Sequence, residues 1–214
     1  MENILLKKYL KLTGGIELCD WFSSNKQLTE AFTLRELYTQ KYAWAIPNKA
    51  AIAALVEHSP IVEIGAGTGY WAALVKDAGG DIIAFDSHPP SINSDKNPYH
   101  QNQAMLFSVK RGSESAAAKH SDRTLFLCWP PYDSSMASGA LKMYTGQTVI
   151  FVGEGCGGCT GNDKFFNLLE NEFTLEKEIS IPQWCGIHDR MMIYSRINLD
   201  KKRKRLLKFC RTNL

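Results

Sequence analysis

Residues 61–69, Ile-Val-Glu-Ile-Gly-Ala-Gly-Thr-Gly, constrain this chain more than any other stretch. Ile61, Val62 and Ile64 make the β-branched run of a parallel strand buried on both faces. Glycines at 65, 67 and 69 follow at once, and Tyr70 to Lys76 predicts the first turns of a helix. Strand, glycine turn and helix together present backbone N–H groups and a helix N-terminus to a ligand. Glycine is needed where a Cβ would block close approach or where φ is positive. A dinucleotide fingerprint places its glycines at the first, third and sixth positions. Here the sixth position is Tyr70, and the third glycine comes one residue early. An acid, Glu63, stands two places before the first glycine. The plain alternative is a tight turn with no ligand.

A second segment argues against the plain turn. Asp81-Ile82-Ile83-Ala84-Phe85-Asp86 reads as a short strand ending in an acid, 17 residues after Gly69. Glu-x-Gly-x-Gly-x-Gly followed by such a strand resembles the cofactor motif of the class I S-adenosylmethionine-dependent methyltransferases. The resemblance covers about 61–197. It implies that Glu63 positions the glycine loop or the methionine amino group. It implies too that the backbone of Gly65, Ala66, Gly67, Thr68 and Gly69 lies against the adenosyl moiety. Asp86 would hold the ribose hydroxyls, for which a carboxylate offers two acceptor oxygens. Ser113 or Glu114, after the third strand, would meet the adenine. S-adenosylmethionine is then the cofactor and S-adenosylhomocysteine the product.

The next signal lies at 124–132. Thr124 to Cys128 is an apolar strand that runs into Trp129-Pro130-Pro131-Tyr132. This resembles the motif of amino-methyltransferases, in which a polar residue precedes Pro-Pro and an aromatic. The polar residue there accepts hydrogen bonds from the target amine. Two prolines stiffen the turn, because each fixes its own φ and restricts the residue before it. This chain departs at the first position: an indole has an N–H donor and no acceptor. Trp129, Pro130 and Tyr132 are therefore expected to line the transfer face, without adenine as the acceptor. Trp129 can also pack on the cofactor or offer its face to a cation. A turn after a buried strand is the bland reading.

Alternating strands and helices predict a doubly wound, mostly parallel α/β sheet of seven strands. Strands are expected at 61–65, 81–86, 104–109, 123–128, 147–153, 172–181 and 190–197. Helices are expected at 69–79, 113–118, 133–144 and 162–171. Only the loop 182–189 separates the last two strands, so they should form an antiparallel hairpin. Residues 1–57 are read as a helical extension packing on the core, 58–198 as the cofactor domain and 199–214 as a basic tail. In the extension, Thr33 with Glu36 has the form of a capping box. Pro47 breaks the next stretch, and a helix should run from Lys49 to Glu57. Trp44 before it is either a core aromatic or part of the site. The segment 87–103, with Pro89, Pro90 and Pro98, is a loop over the strand ends, where ligands of open α/β sheets lie.

The hairpin loop carries Trp184, Cys185, His188, Asp189 and Arg190. His188 is a candidate base beside Asp189. Neighbouring side chains on an extended segment point to opposite faces, so the sequence does not imply a His–Asp dyad. Cys156-x-x-Cys159 with Cys185-x-x-His188 has the ligand types of a zinc site. The single Cys-x-x-Cys makes a metal-free, reduced set the expected state. Five glycines between 153 and 161 mark a loop at another strand end, either a wall of the pocket or a connector.

The chain of 214 residues has 25 Lys and Arg against 22 Asp and Glu, a net +3. Seven of the basic residues, Lys201, Lys202, Arg203, Lys204, Arg205, Lys208 and Arg211, fall in the last fourteen positions. The rest of the chain holds 18 basic and 22 acidic residues, a net −4. Its body thus gives no charge signal for a nucleic-acid partner, whereas the tail can bind phosphates. The N-terminus lacks a secretory core, no stretch spans a membrane, and a cytoplasmic location is the default expectation. The expected function is in-line methyl transfer to an acceptor that the sequence does not identify. The alternatives are a nucleic-acid methyltransferase using Pro130-Pro131-Tyr132, a non-catalytic S-adenosylmethionine-binding protein and a nicotinamide oxidoreductase. Tyr70 disfavours the last.

Overall fold

Short β-branched and aromatic runs build one sheet, and the chain between them supplies its covering helices. The computed structural model describes residues 1–18 and 25–198. Strands β1 (Ile61–Ile64), β2 (Ile82–Asp86), β3 (Val109–Arg111), β4 (Thr124–Cys128), β5 (Thr148–Gly153), β6 (Phe173–Ser180) and β7 (Arg190–Arg196) pair in the order β3-β2-β1-β4-β5-β7-β6. The first five run parallel, and β7 is antiparallel to both β5 and β6. This order with its antiparallel closing hairpin is the seven-stranded class I methyltransferase architecture that the motifs implied.

Helices α1 (Ile4–Leu12), α2 (Asn25–Lys41), α3 (Lys49–Glu57), α4 (Tyr70–Asp77), α5 (Met136–Met143) and α6 (Asp163–Glu172) pack on it, with a 3₁₀ turn at Glu114–Lys119. Strand residues alternate between faces, and the core divides accordingly. Ile61, Phe126, Ile150 and Val152 pack with α3, α4, α1 and the hairpin residue Trp184. Val62, Ile64, Leu125, Leu127, Val149 and Phe151 face α5 and α6 on the other side. The N-terminal helices therefore share a core with one face of the sheet. No helix among the described residues is long and apolar enough to cross a membrane. The basic tail, Cys19 and Cys210 lie outside the described residues.

Four sequence expectations are corrected. The third strand is not at 104–109 but begins at Val109. The apolar residues before it are used elsewhere: Leu106 N–H bonds the Thr68 carbonyl at 2.7 Å, and Phe107 lies against Gly69. Thr33 caps no helix. It sits inside α2, where its hydroxyl turns back to the Thr29 carbonyl at 3.0 Å. That back-bond is open to any threonine within a helix. The helix expected at 113–118 is a 3₁₀ turn capped by Ser113, and the one expected from 133 starts at Met136. Pro130 to Ser135 are taken up by the turn that leaves β4.

Helix α3 runs from Lys49 to Glu57 as expected, and Asn48 caps it. Its side chain accepts the Ala51 N–H at 2.9 Å and donates to the Ser180 carbonyl at 3.1 Å. One residue thus caps a helix of the extension and ties it to the end of β6.

Candidate functional site

At the carboxyl ends of β1, β2 and β4 the chain encloses a cavity of about 800 Å³. That lies in the upper part of the range for small-molecule pockets. One end is built by the glycine turn. Gly65, Gly67 and Gly69 all have positive φ, at +76°, +53° and +75°. At Gly67 the reason is also steric, because a Cβ there would collide with Nε2 of His100. At Gly69 a Cβ would stand 2.7 Å from Phe107 Cβ and 2.8 Å from Val109 Cγ2.

The amides of Gly65, Ala66, Gly67 and Gly69 are all taken up within the chain. Gly65 and Ala66 both donate to the Phe85 carbonyl, at 2.8 and 3.0 Å, and Gly69 donates to Ala66. Gly67 N–H bonds Asp86 Oδ2 at 2.9 Å. The glycines thus bring backbone close to a ligand without supplying its donors, which corrects the expectation of N–H groups turned outward. An anionic pyrophosphate finds no partner in these four amides, and two carboxylates border the same end.

The first is Glu63. It lies on the β1 face opposite to Val62 and Ile64 and is buried, yet it lines the cavity. Its Oε2 has no hydrogen-bond partner. Burial, and then the nearby charge of Asp86, push its pKa up from 4.5 to about 8. An unpartnered buried carboxylate oxygen calls for a donor, and a cationic one relieves both causes of the shift. The second is Asp86, which closes β2. Its Oδ1 accepts the His88 N–H at 2.8 Å while Oδ2 holds Gly67. Each oxygen keeps a lone pair for a further donor.

His100 covers this end from the loop after β2. Its Nδ1 lies 2.7 Å from the Gln40 carbonyl, so that nitrogen carries the proton. Burial keeps the ring neutral by lowering its pKa, against the Gln40 carbonyl and Asp86, which favour the cation. His100 so ties the 87–106 loop to the end of α2. Ser113, at the head of the 3₁₀ turn, lines the cavity beside Gly112 and Glu114.

The other end is aromatic. Trp129, at the end of β4, holds a left-handed backbone conformation with φ +51°, uncommon for so bulky a residue. Its indole N–H bonds both oxygens of Asp189 at 2.8 Å. Asp189 is fully buried, and burial raises its pKa to about 7 despite that bond. Trp44 stacks on Trp129 with ring centres 5.1 Å apart and planes 25° apart. Tyr99 meets Trp44 edge-on, and Tyr132 stands exposed at the mouth beside Asp133. Trp44 therefore lines the cavity. Its position is set by the hairpin, where the Trp184 indole donates to the Trp44 carbonyl at 3.2 Å.

Several expected residues stand back from the cavity. Thr68 is buried and donates to the Tyr42 carbonyl, while Gly69 begins α4. Pro130 is buried and accepts the Gly161 N–H at 2.8 Å. His188 does not line the cavity. It is exposed, with its amide bonded to Glu154 Oε1 and its ring 3.4 Å from the same oxygen. His188 and Asp189 do point apart. Glu154 is held below the usual range: burial would raise it, but the amides of Cys159 and His188 outweigh that. Of the glycine-rich loop, Cys159 reaches the cavity wall. Among the described residues no three His, Cys, Asp or Glu side chains are grouped to hold a metal ion. Arg35, Tyr99, Asp133 and Met136 line the cavity without any mark in the sequence. No local pattern distinguishes them, because each arrives by tertiary packing.

No protein-family model matches the chain, and no curated protein does. Solved structures similar to it include the 1,6-didemethyltoxoflavin-N1-methyltransferase of Burkholderia thailandensis, bound to 1,6-didemethyltoxoflavin and S-adenosylhomocysteine. The identity is 14%, covering 85% of this chain and 94% of that one, with a TM-score of 0.48. Another is the magnesium protoporphyrin IX methyltransferase of Synechocystis PCC 6803 with S-adenosylmethionine, at 10% identity, 89% and 90% coverage and a TM-score of 0.42. A third is the N-methyltransferase NodS of Bradyrhizobium japonicum WM9, at 9% identity, 69% and 92% coverage and a TM-score of 0.41.

Proposed function

We propose that this chain is an S-adenosylmethionine-dependent methyltransferase acting on a small molecule. The observation that carries the reading is the buried, unpartnered Oε2 of Glu63 beside the glycine turn. It fits the cationic amino group of the cofactor's methionine. Asp86, with free lone pairs at the tip of β2, fits the ribose hydroxyls, and Ser113 stands where the adenine would end. Two carboxylates at one end suit a cofactor with cationic groups and repel the pyrophosphate of a dinucleotide.

When bound, S-adenosylmethionine supplies a methyl group already activated by its sulfonium. What the protein must then do is hold donor and acceptor in position. Cys128 and Trp129 connect the Glu63 end to the aromatic end, where Trp44, Trp129 and Tyr132 would hold the acceptor. The loop carrying Tyr99 and His100 would keep water from the pair. His188, outside the cavity, has no part in this reading. Trp129 cannot accept a hydrogen bond from a target amine, because an indole has no acceptor, and its one N–H is already given to Asp189. That leaves adenine methylation without its usual acceptor group.

The test is calorimetric titration of the protein with S-adenosylhomocysteine and, in parallel, NADH. Micromolar binding of the first alone supports the reading; binding of NADH alone overturns it. The same titration reads Glu63. With a pKa of about 8, its carboxyl is mostly protonated at pH 7 in the free protein. A bound ammonium group favours the carboxylate, so binding should release close to one proton. Affinity should accordingly rise with pH between about 6 and 8, by up to ~10-fold per unit. Enthalpies in phosphate and Tris buffers at pH 7 measure the released proton. Glu63→Gln should abolish the release; its persistence in that variant would assign the proton to another group.

A further inference from the structure

The aromatic end holds a cation without an ionic partner. Arg35, on α2, sets its guanidinium carbon 5.6 Å from the Trp44 ring centre and 5.8 Å from that of Trp129. Its Nε is buried and has no hydrogen-bond partner. Among the described residues it forms no salt bridge. The buried carboxylate that feels its charge, Asp189, is already bonded through both oxygens to Trp129. Glu154, whose charge acts on Asp189, is bonded to the Cys159 and His188 amides. Arg35 is half-buried, and attraction to the two indoles offsets part of the cost of desolvating it but leaves its Nε–H unmatched.

We propose that Arg35 binds a carboxylate on the methyl acceptor, and that the acceptor is a planar aromatic acid. Its ring lies against Trp44, Trp129 and Tyr132 while its carboxylate meets the guanidinium. This rests on the reading of the cavity as a methyl-transfer site. A guanidinium suits such an anion because it is flat, always charged, stacks on aromatic faces and matches a carboxylate with two parallel N–H donors. The cavity of about 800 Å³ is continuous from the glycine end to the aromatic end, so an acceptor at the indoles would share it with a cofactor at the glycine turn. The competing charge there is Asp133, exposed at the mouth. A cationic acceptor would use Asp133 and the indole faces and leave Arg35 without purpose.

Three probes of one shape separate these outcomes: benzoate, benzamide and benzylamine. Indole-3-carboxylate and its primary amide form a second, larger pair. Each is titrated into the full chain with and without S-adenosylhomocysteine, followed by calorimetry. The carboxylates should bind at least about tenfold more tightly than their amides. Arg35→Met should bring acid and amide within about twofold, at unchanged S-adenosylhomocysteine affinity. Asp133→Asn should not weaken the acids. Equal affinity for acid and amide, a preference that survives Arg35→Met, or tightest binding of benzylamine overturns the proposal. Should Arg35→Met fail to fold, the acid-to-amide ratio of the unmodified protein decides alone. If S-adenosylhomocysteine itself does not bind, the cofactor reading fails, and the ratio measured without it still decides the anion site.

Discussion

Asp86→Ala is expected to weaken S-adenosylhomocysteine binding by about 100-fold or more, or ~2.8 kcal/mol. The carboxylate does two things at once. It would accept the ribose hydroxyls, and hydrogen bonds to a charged group contribute ~1.5–3 kcal/mol. It also holds Gly67 N–H and His88 N–H, so its loss frees both the glycine turn and the start of the overlying loop. Stability should change less than affinity. Two amide bonds are lost, but above about pH 8, where Glu63 is ionised, the repulsion that Asp86 exerts on it is removed too. A melting temperature within about 5 °C of the unmodified protein fits that balance. Calorimetry and a thermal melt on the same sample separate the two effects. Retained affinity would show that the ribose lies elsewhere and would remove the central support for the cofactor's placement.

Trp184→Ala should destabilise the fold by about 3–5 kcal/mol, well beyond the effect of Asp86→Ala. The side chain is 2% exposed and packs edge-on against Tyr9 of α1, with ring centres 5.9 Å apart. Its N–H holds the Trp44 carbonyl. Deleting it opens a cavity where the hairpin, the N-terminal helices and the sheet meet. The melting temperature should fall by roughly 10–15 °C, at ~2–4 °C per kcal/mol for a chain of this size. Trp184→Phe should recover most of that loss, because it restores the ring and forfeits only the hydrogen bond. If the alanine variant instead melts within about 3 °C of the unmodified protein, the N-terminal helices are not anchored through this residue. In variants that remain folded, Trp44 should lose its fixed position, and acceptor binding should suffer more than cofactor binding.

Those two residues also mark how far the sequence can be read. Asp86 is legible because its signal is local: an acid closing a short apolar strand at a fixed distance from a glycine turn. The mostly parallel sense of the sheet follows from alternation, and the antiparallel closing pair from a hairpin loop too short for a helix. The third strand is hard to place because Met105, Leu106 and Phe107 are as apolar as a strand. Only the folded chain shows that two of them cover the glycine turn. The partnership of Trp129 with Asp189 spans sixty residues, and that of Trp184 with Trp44 spans 140. No periodicity encodes such pairs. Arg35 is the extreme case, an ordinary arginine on a polar helix until the crossing of α2 over the strand ends sets it above two indoles.

The stack of Trp44 on Trp129 carries a consequence for observing the protein. Two indoles 5.1 Å apart and 25° from parallel couple their electronic transitions. Coupled chromophores in a chiral setting give a paired positive and negative band in ultraviolet circular dichroism. Because one ring belongs to the N-terminal helical region and the other to the end of a central strand, that band reports their separation directly. Any molecule that slides between the rings or tilts one of them rewrites the spectrum. The chain therefore carries its own optical gauge of the cavity, built from residues already in place and needing no label.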